Sequence, residues 1–367
     1  MRLDRRRVLA GLGLLPVAGG ALAACSPRRE ADAGTGADSL QFIDDVGRSV
    51  TLKLPVTRTV VFNRYTTEFI RAIAGPQVLV GVDIKAGSAY WPTVTPEMFA
   101  GQSQTSPNFE AIVAMQPDVV FFPRNSDWQG AAQMLAPFGI PVAVITCWDV
   151  LKHEENATLL GRIYQRPEAA EKLNAFYRGH RDLLRERLAG VTRKRVYLEE
   201  VGDYKTLLKG SGWHDMVQEG GGQNVFGDVN ILDQPSARGS VQGFEVDPEE
   251  ILARRPEVII KLQRGQYEPH EEAASRQVLE RLVARPGFDQ LPAVRDGHVY
   301  HMSYYFSSAS SKIVGALQIA QWLYPDRFGD VDPQGAMKVW LEEFQGVPYP
   351  ARGRYWTSLP IIRGEKA

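Results

Sequence analysis

NFEAIVAMQPDVV, at residues 108–120, has a second copy in the chain: DPEEILARRPEVI, at residues 247–259. Each copy predicts a short helix, a break at proline and a buried strand. Superposing the prolines of the two copies aligns Asn108 with Asp247, Glu110 with Glu249 and Asp118 with Glu257. Two copies so far apart indicate two similar lobes in one protein. Two lobes enclose a cleft, and clefts between domains commonly bind ligands.

Predicted strands and helices alternate around both copies. Residues 41–52 predict two short strands about a glycine turn. Further strands are predicted at 59–62, 78–82, 119–122, 142–146, 195–201, 258–262 and 299–300, with helices between them. Such alternation is typical of mostly parallel sheets covered on both faces. Residues 150–188 show apolar residues at helical spacing and predict one connecting helix, either long or broken near Pro167. The predicted fold class is α/β, with two Rossmann-like lobes of mostly parallel sheet joined by a long connecting helix.

These patterns divide the chain into six predicted segments. They are an export signal at 1–25, a flexible tether at 26–39, an N-terminal α/β lobe at 40–148, a connecting helix at 149–190, a C-terminal α/β lobe at 191–325, and a C-terminal helix and tail at 326–367. The tether is rich in small and charged residues without an apolar period, which favours flexibility.

The first residues predict export. Adjacent arginines at residues 5–7 precede an apolar run at 8–24, and Leu22-Ala23-Ala24 then leads into Cys25. The arginines resemble a twin-arginine signal, and the last four residues resemble a bacterial lipobox. The resemblance implies that Cys25 is lipidated and holds the protein at a bacterial membrane, outside the cytoplasm, in the periplasm or on the outer face of the cell membrane. The alternatives are an uncleaved anchor or a chance cysteine.

Composition excludes some classes of partner. The chain has 42 basic and 43 acidic residues, so no overall field favours nucleic acid. The second cysteine, Cys147, has no partner for a disulfide once Cys25 is modified. We expect Cys147 to be a small buried hydrophobe at the end of a strand.

The ordered set of motifs resembles the siderophore, haem and cobalamin branch of the substrate-binding proteins of ABC importers, over about residues 40–325. The matching segments are SPNFE at 106–110 with its Pro117-Asp118 strand, GSGW at 210–213 leading to GGGQNVF at 220–226, VDPEEIL at 246–252, and DGHVY at 296–300 followed by the helix from Ser310. This resemblance implies a class III periplasmic-binding-protein fold. It also implies that the protein is a monomer and that its partners are an ABC permease and the ATPase of that permease. It also implies a rigid connector that limits closure of the lobes.

The two copies place one glutamate on each lobe. Asn108 and Asp247 are good helix N-caps, which puts Glu110 and Glu249 in the first turn of their helices. Interaction with the helix dipole is one explanation, contributing about 0.3–1 kcal/mol each. The resemblance implies another role, in which each glutamate docks on a basic pocket of the permease. On the second lobe, Glu250 is an alternative to Glu249.

Residues that follow the predicted strands are the candidates for the cleft, because ligands bind beyond the carboxyl ends of parallel strands. The ligand-binding candidates are Arg64, Tyr65, Tyr90, Trp91, Arg124, Trp128, Trp148, Trp213, Arg264, Tyr304 and Tyr305. Aromatic rings bury apolar ligand area, and arginine forks bind carboxylate or catecholate oxygens. The set suits a large metal chelate, although many of these aromatic residues would serve equally well as core or loop anchors.

The ligand is predicted to be a ferric siderophore first, with haem and cobalamin as alternatives. No resident cofactor or free metal ion is expected, since the six histidines form no compact set with carboxylates. Haem iron would need an axial residue, for which the candidates are Tyr304, Tyr305, His301 and His214. An exported enzyme and a structural lipoprotein are the competing classes. The first is disfavoured because the chain has no Gly-x-Ser-x-Gly, phosphate-loop or His-Glu-x-x-His motif.

Overall fold

The computed structural model describes residues 38–83, 91, 93–230, 244–263, 269–303 and 312–359. Strands β1 (Ser39–Ile43) and β2 (Ser49–Lys53) form the predicted antiparallel hairpin. Its turn needs Gly47, whose φ of 80° lies in the left-handed region. Asp44 in this turn accepts hydrogen bonds from the Arg48 guanidinium and from the backbone N–H of Val144, so the hairpin is fixed to the first large sheet.

The first large sheet carries the first copy of the repeat. It contains β3 (Thr59–Val61), β4 (Leu79–Asp83), β5 (Phe99–Ser103), β6 (Ser106–Pro107), β7 (Val119–Phe122) and β8 (Val142–Val144), in the order β6-β5-β4-β3-β7-β8. All neighbouring pairs are parallel except β5–β6. Helices α1 (Arg64–Ala74), α2 (Phe109–Ala114) and α3 (Trp128–Leu135) begin after asparagine or aspartate caps. We call this sheet with its helices the N-terminal lobe.

The second large sheet is separate from the first within the described residues. It contains β9 (Lys194–Glu199), β10 (Lys205–Thr206), β11 (Gly222–Asn224), β12 (Phe244–Glu245), β13 (Val258–Gln263), β14 (Val299–Ser303) and β15 (Trp356–Ser358), in the order β12-β10-β9-β13-β14-β15, with β11 also paired to β9. The core strands β9, β13 and β14 are parallel. The associated helices are α6 (Gly212–Glu219), α7 (Pro248–Arg254), α8 (Glu272–Val283), α9 (Pro292–Arg295) and α10 (Lys312–Leu323). We call this sheet with its helices the C-terminal lobe.

The repeated sequence builds the same connection in both lobes. In the first copy, the Asp118 carboxylate accepts from the backbone N–H of Arg58, at 2.9 Å, and the Arg58 Nε donates to the carbonyl of Gln116. In the second copy, the Glu257 carboxylate accepts from the backbone N–H of Arg195, also at 2.9 Å, and the Arg195 Nε donates to the carbonyl of Arg255. The aligned acidic residues therefore join the end of a helix to the start of a neighbouring strand in each lobe.

The connecting segment is broken near Pro167, which is one of its two expected forms, and the two resulting helices are antiparallel, which was not expected. Helix α4 spans His153–Ile163 and α5 spans Pro167–Arg187. Gln165, at a φ of 56°, reverses the chain, and Pro167 occupies the first turn of α5, where proline needs no hydrogen-bond donor. Gly161 permits close packing of the two helices, because a Cβ there would lie 2.5 Å from that of Ala170. Helix α5 also contacts α1 in one lobe and α10 in the other, so it is the element that connects the lobes.

The C-terminal segment after α10 contacts both lobes, which the expectation of a simple helix and tail did not include. It comprises α11 (Pro325–Phe328), α12 (Pro333–Val339), a π-helical segment at Trp340–Phe344 and strand β15. The carbonyl of Gln345 accepts from Arg71 of α1, and its side-chain amide donates to the carbonyl of Glu68, both at 3.0 Å. Strand β15 then pairs with β14 at the edge of the second sheet. Among the described helices, none is long and apolar enough to cross a membrane.

A buried group of charges lies at the carboxyl end of β9. The fully buried Glu199 carboxylate accepts from Lys261 Nζ at 2.6 Å and from both terminal nitrogens of Arg285, at 2.7 and 3.0 Å. It also accepts from the Tyr197 hydroxyl at 2.9 Å and from the backbone N–H of Tyr204 at 3.1 Å. Asp203, which is mostly exposed, pairs with both cations as well, at 3.2 Å from Lys261 and 2.7 Å from Arg285. Two carboxylates therefore compensate the two cations inside the C-terminal lobe.

Candidate functional site

The carboxyl ends of β3 and β8 are joined directly. Asn63 caps α1 by accepting from the backbone N–H of Tyr65, and its amide donates to the carbonyl of Thr146 at 2.6 Å. The Thr146 hydroxyl in turn accepts from the backbone N–H of Arg124, which follows β7. These contacts hold the ends of three parallel strands together, and the side chains of the predicted site project from this point.

Four of the predicted ligand-binding residues meet where the lobes touch. Tyr65, Arg124 and Trp148 come from the N-terminal lobe, and Trp213 comes from the first turn of α6 in the C-terminal lobe. The rings of Tyr65 and Trp148 are edge to face at 5.9 Å, and the Arg124 guanidinium lies 4.9 Å from the Trp148 ring. We name these four residues together with Lys312 the junction cluster.

Lys312 is the member that our sequence reasoning missed. Its Nζ donates to the carbonyl of Trp148 at 2.6 Å and lies 5.2 Å from the Tyr65 ring and 4.7 Å from the Trp213 ring. Gly212 is required beside it, since a Cβ at that position would clash with the Trp148 carbonyl and lie 2.5 Å from the ammonium. The start of α10, the start of α6 and the segment after β8 are thus packed against one another.

Both lobes contribute charged side chains in or beside the junction cluster. Arg124 forms a two-bond ion pair with Asp149, at 2.5 and 3.1 Å. Burial raises the pKa of Asp215 on α6 to about 6, with a further contribution from the negative charge of Asp149. Burial also lowers the pKa of Lys312 to about 7. The site therefore contains groups whose charge changes near neutral pH.

The other predicted residues lie elsewhere or outside the described part of the chain. Arg64 is half-buried beside the cluster, with its guanidinium 5.5 Å from the Tyr65 ring. Trp91 is fully buried in the core, 5.1 Å from the Arg71 guanidinium. Trp128 lies outside the cluster, and its ring packs 4.2 Å from the Arg48 guanidinium instead. Cys25, Tyr90, Arg264, Tyr304 and Tyr305 lie outside the described residues.

The histidines considered for haem iron that the structure describes are inside the C-terminal lobe. His214 is buried, with its Nδ1 at 3.4 Å from the Asn224 amide. His301 is fully buried on β14. No group of three or more histidine, cysteine, aspartate or glutamate residues within the described ranges is arranged to hold a metal ion. Cys147 is buried and unbridged, as expected for a small hydrophobe, and burial raises the pKa of its thiol.

Glu110 and Glu249 are both exposed in the first turn of their helices, and the predicted caps are confirmed. Asn108 accepts from the backbone N–H of Ala111, and Asp247 accepts from that of Glu249. Within the described residues, neither glutamate carboxylate has an ion-pair partner within 4.0 Å.

Glu250 differs from its neighbour in this respect. Its carboxylate lies 3.3 Å from Arg254 Nε, and Arg254 also pairs with Asp228. On the C-terminal lobe, Glu249 is therefore the carboxylate that is more available to a partner.

Comparison with known proteins identifies the class. The family model for periplasmic binding proteins matches residues 62–305. The molybdate-binding protein MolA of Haemophilus influenzae is 24% identical over 346 residues, covering 83% of this chain and 91% of that protein. Its molybdate-bound structure superposes with a TM-score of 0.68 at 21% identity, covering 85% of this chain and 99% of that one.

Two further proteins agree with this class. The vitamin B12-binding protein of Salmonella typhimurium is 29% identical over 154 residues, which is 42% of this chain and 54% of that protein. The structure of the periplasmic binding protein FepB of Veillonella parvula superposes with a TM-score of 0.66 at 21% identity, covering 87% of this chain and 99% of that one.

The chain belongs to the periplasmic binding protein family of ABC importers, and its α/β fold is of class III. It is a solute-binding protein that works with an ABC permease, and it is not an enzyme. The expected family is confirmed. The relatives bind molybdate or vitamin B12 according to their names, so membership in the family leaves the ligand open.

Proposed function

We propose that this protein is the extracytoplasmic receptor for an anionic metal complex, with a ferric siderophore as the first candidate. The observation that supports this most is the junction cluster, in which aromatic rings and cations from both lobes are packed together. Aromatic faces suit the flat ligand groups of a chelate, and cations suit its carboxylate or catecholate oxygens.

A metal oxoanion is the second candidate. It is favoured by the end-to-end similarity to MolA, whose name assigns it molybdate. Both ligands share oxygen atoms that carry negative charge around a metal, and both would be recognised by the same cations. Haem and cobalamin stay as alternatives from the same branch of the family.

The binding experiment uses intrinsic fluorescence, because Trp148 and Trp213 both belong to the cluster. The purified protein is titrated with a ferric tris-catecholate siderophore, ferric citrate, haemin, cyanocobalamin and molybdate. We expect saturable quenching at submicromolar concentration with one of the two anionic classes. Trp148→Phe should reduce the quenching, whereas Trp356→Phe, in the edge strand β15, should not. Binding of cyanocobalamin or haemin alone would refute the assignment.

Docking on the permease is proposed to use Glu110 and Glu249, one from each lobe. Their exposure and their equivalent positions in the repeat support this, since a two-lobed receptor has to present a contact on each lobe. A lipid anchor at Cys25 is proposed to keep the receptor near its permease.

The double variant Glu110→Lys/Glu249→Lys tests the docking role. We expect it to lose uptake in cells while keeping the ligand affinity of the purified wild-type protein. Glu168→Lys is the matched control, because Glu168 follows a proline in the first turn of α5 just as Glu249 follows Pro248 in α7. The control loses the same favourable interaction with a helix dipole and should retain uptake. Loss of affinity in the double variant would contradict the docking role.

A further inference from the structure

Lys312 is a buried cation whose neighbouring carboxylates, Asp149, Asp215 and Glu68, act on it from beyond ion-pair distance. Its side chain is fully buried at the start of α10. Within the described residues, no carboxylate lies within the 4.0 Å of an ion pair with its Nζ. This contrasts with Lys261, equally enclosed in the same lobe, which pairs with Glu199 at 2.6 Å. An ammonium removed from water without a paired anion is strongly destabilising.

The hydrogen-bonding capacity of Lys312 is also incompletely used. An ammonium has three N–H donors, and among the described residues one of them meets an acceptor, the carbonyl of Trp148 at 2.6 Å. The rings of Tyr65 and Trp213 provide cation–π attraction, which compensates only part of the desolvation. The position adds a further cost, because the amino end of a helix carries positive partial charge and disfavours cations.

A second donor in the same cluster also lacks an acceptor within the described ranges. The indole Nε1 of Trp148 is buried, and no described residue accepts a hydrogen bond from it. Buried indole N–H groups usually find a partner. Two neighbouring residues, one from each lobe, thus present donors that lack oxygen acceptors within the described part of the chain.

We propose that Lys312 and the indole N–H of Trp148 bind an oxyanion of the transported solute, with the Arg124 guanidinium beside them. The chemical class is a negatively charged oxygen attached to a metal complex: a carboxylate or catecholate oxygen of a chelate, or an oxygen of an oxometalate. The inference rests on the proposed function and adds to it the residues that contact the negatively charged oxygen. The uncharged surface of the ligand would then face the rings of Tyr65 and Trp213. Lys312 joins the two lobes through Trp148, so the same anion would also stabilise their closed arrangement.

Isothermal titration calorimetry with molybdate and with a ferric tris-catecholate siderophore tests this inference. For the probe that wild type binds, Lys312→Met should weaken affinity about ten- to a hundredfold, the range expected for loss of a charge-assisted hydrogen bond. Lys312→Arg should retain more of the affinity, because it keeps the positive charge. Equal affinity in wild type and Lys312→Met would overturn the inference and leave the proposed function intact. Failure of wild type to bind either probe would overturn both.

Proton uptake by the wild-type protein provides a second measurement that does not depend on how well a variant folds. Lys312, whose pKa burial lowers to about 7, is mostly neutral at pH 8 until an anion restores its charge. Binding at pH 8 should therefore take up about one proton, read from titrations in buffers of different ionisation enthalpy. The ionisable groups facing Lys312 are Glu68, Arg124, Asp149, His153 and Asp215.

Asp215→Asn is the control for these neighbours, since burial raises the pKa of Asp215 to about 6. It should retain most of the uptake, and Lys312→Met should abolish it. Binding of an anion by wild type without proton uptake at pH 8 would overturn the inference.

Discussion

Glu199→Gln is the substitution whose effect on stability follows most directly from the structure. The side chain keeps its size, so the change removes charge and not volume. Glu199 now compensates Lys261 and Arg285, and it accepts bonds from two tyrosines as well. With a neutral glutamine amide at residue 199, the buried group carries one positive charge more than in wild type. The amide NH₂ also faces two hydrogen-bond donors at the position where a carboxylate oxygen accepted from both. Breaking a buried pair on one side costs about 3–5 kcal/mol, a large part of the 5–15 kcal/mol that is usual for folding.

Urea denaturation monitored by tryptophan fluorescence measures this loss. We expect the midpoint to fall in Glu199→Gln with little change in slope. Adding Lys261→Met should recover part of the free energy of unfolding, because the uncompensated cation is then removed. Asp203→Asn is the control: Asp203 also pairs with both Lys261 and Arg285 but is 70% exposed, so its loss should stay below about 1 kcal/mol. A Glu199→Gln protein within about 1 kcal/mol of wild type would refute the assignment of Glu199 as the principal buried counter-charge of the two cations.

Two further substitutions test the interior and the junction. Burial lowers the pKa of His301 to about 3. Between that value and pH 6.5, the unfolded chain binds a proton at this residue that the folded chain does not. The free energy of unfolding should therefore fall by about 2 kcal/mol between pH 7 and 5 on account of His301. Urea titrations at the two pH values should show a smaller fall in the free energy of unfolding for His301→Gln than for wild type. An equal fall in the two proteins would contradict the reasoning. Gly212→Ala should lower the melting temperature by forcing Trp148 and Lys312 apart, at a cost of about 1–3 kcal/mol. Gly179→Ala, in open space on α5, should instead raise it, and equal effects would contradict the close contact of the lobes.

The sequence was sufficient for the parts of the fold that local rules control. Asn108 and Asp247 begin helices because their side chains accept first-turn N–H groups, and the prolines of the repeat lie just before buried strands, as predicted. The break near Pro167 was one of the two expected forms, but the reversal of direction between α4 and α5 was missed because it depends on packing. A proline at residue 167 is compatible with a kink or with a new helix, and the contact of Gly161 with Ala170 decides between them. Strand β15 was missed because the edge of β14 supplies its hydrogen bonds.

For the candidate cluster, position after a strand was informative but not sufficient. Tyr65, Arg124 and Trp148 were selected because each follows a strand closely, and the structure brings them together. Trp91 and Trp128 met the same criterion and lie in other surroundings. The distinction depends on which face of a loop packs inward, a property that tertiary contacts determine.

Lys312 had a sequence signal that is visible in retrospect. It begins the segment KIVGALQIAQWL, which carries no other charge and is apolar on nearly all sides. A helix that is apolar all round is buried, so a lysine at its first residue has to be enclosed as well unless it reaches past the end of the helix. A single charged residue in such a segment is therefore a candidate for function.

Lys312 lies outside the part of the chain that the family model matches, whereas the other four members of the junction cluster lie inside it. The family model ends at residue 305, before Lys312 and before the C-terminal segment that reaches α1 through Gln345. The matched part builds most of both sheets and carries Glu110 and Glu249, the two residues that we propose to dock on the permease. The part beyond it supplies a buried cation at the contact of the lobes and a second connection across them. If Lys312 selects the charge of the solute, receptors that share residues 62–305 but have a neutral residue at the start of α10 should prefer less anionic ligands. Exchange of this one side chain between two such receptors would test that expectation independently of overall similarity.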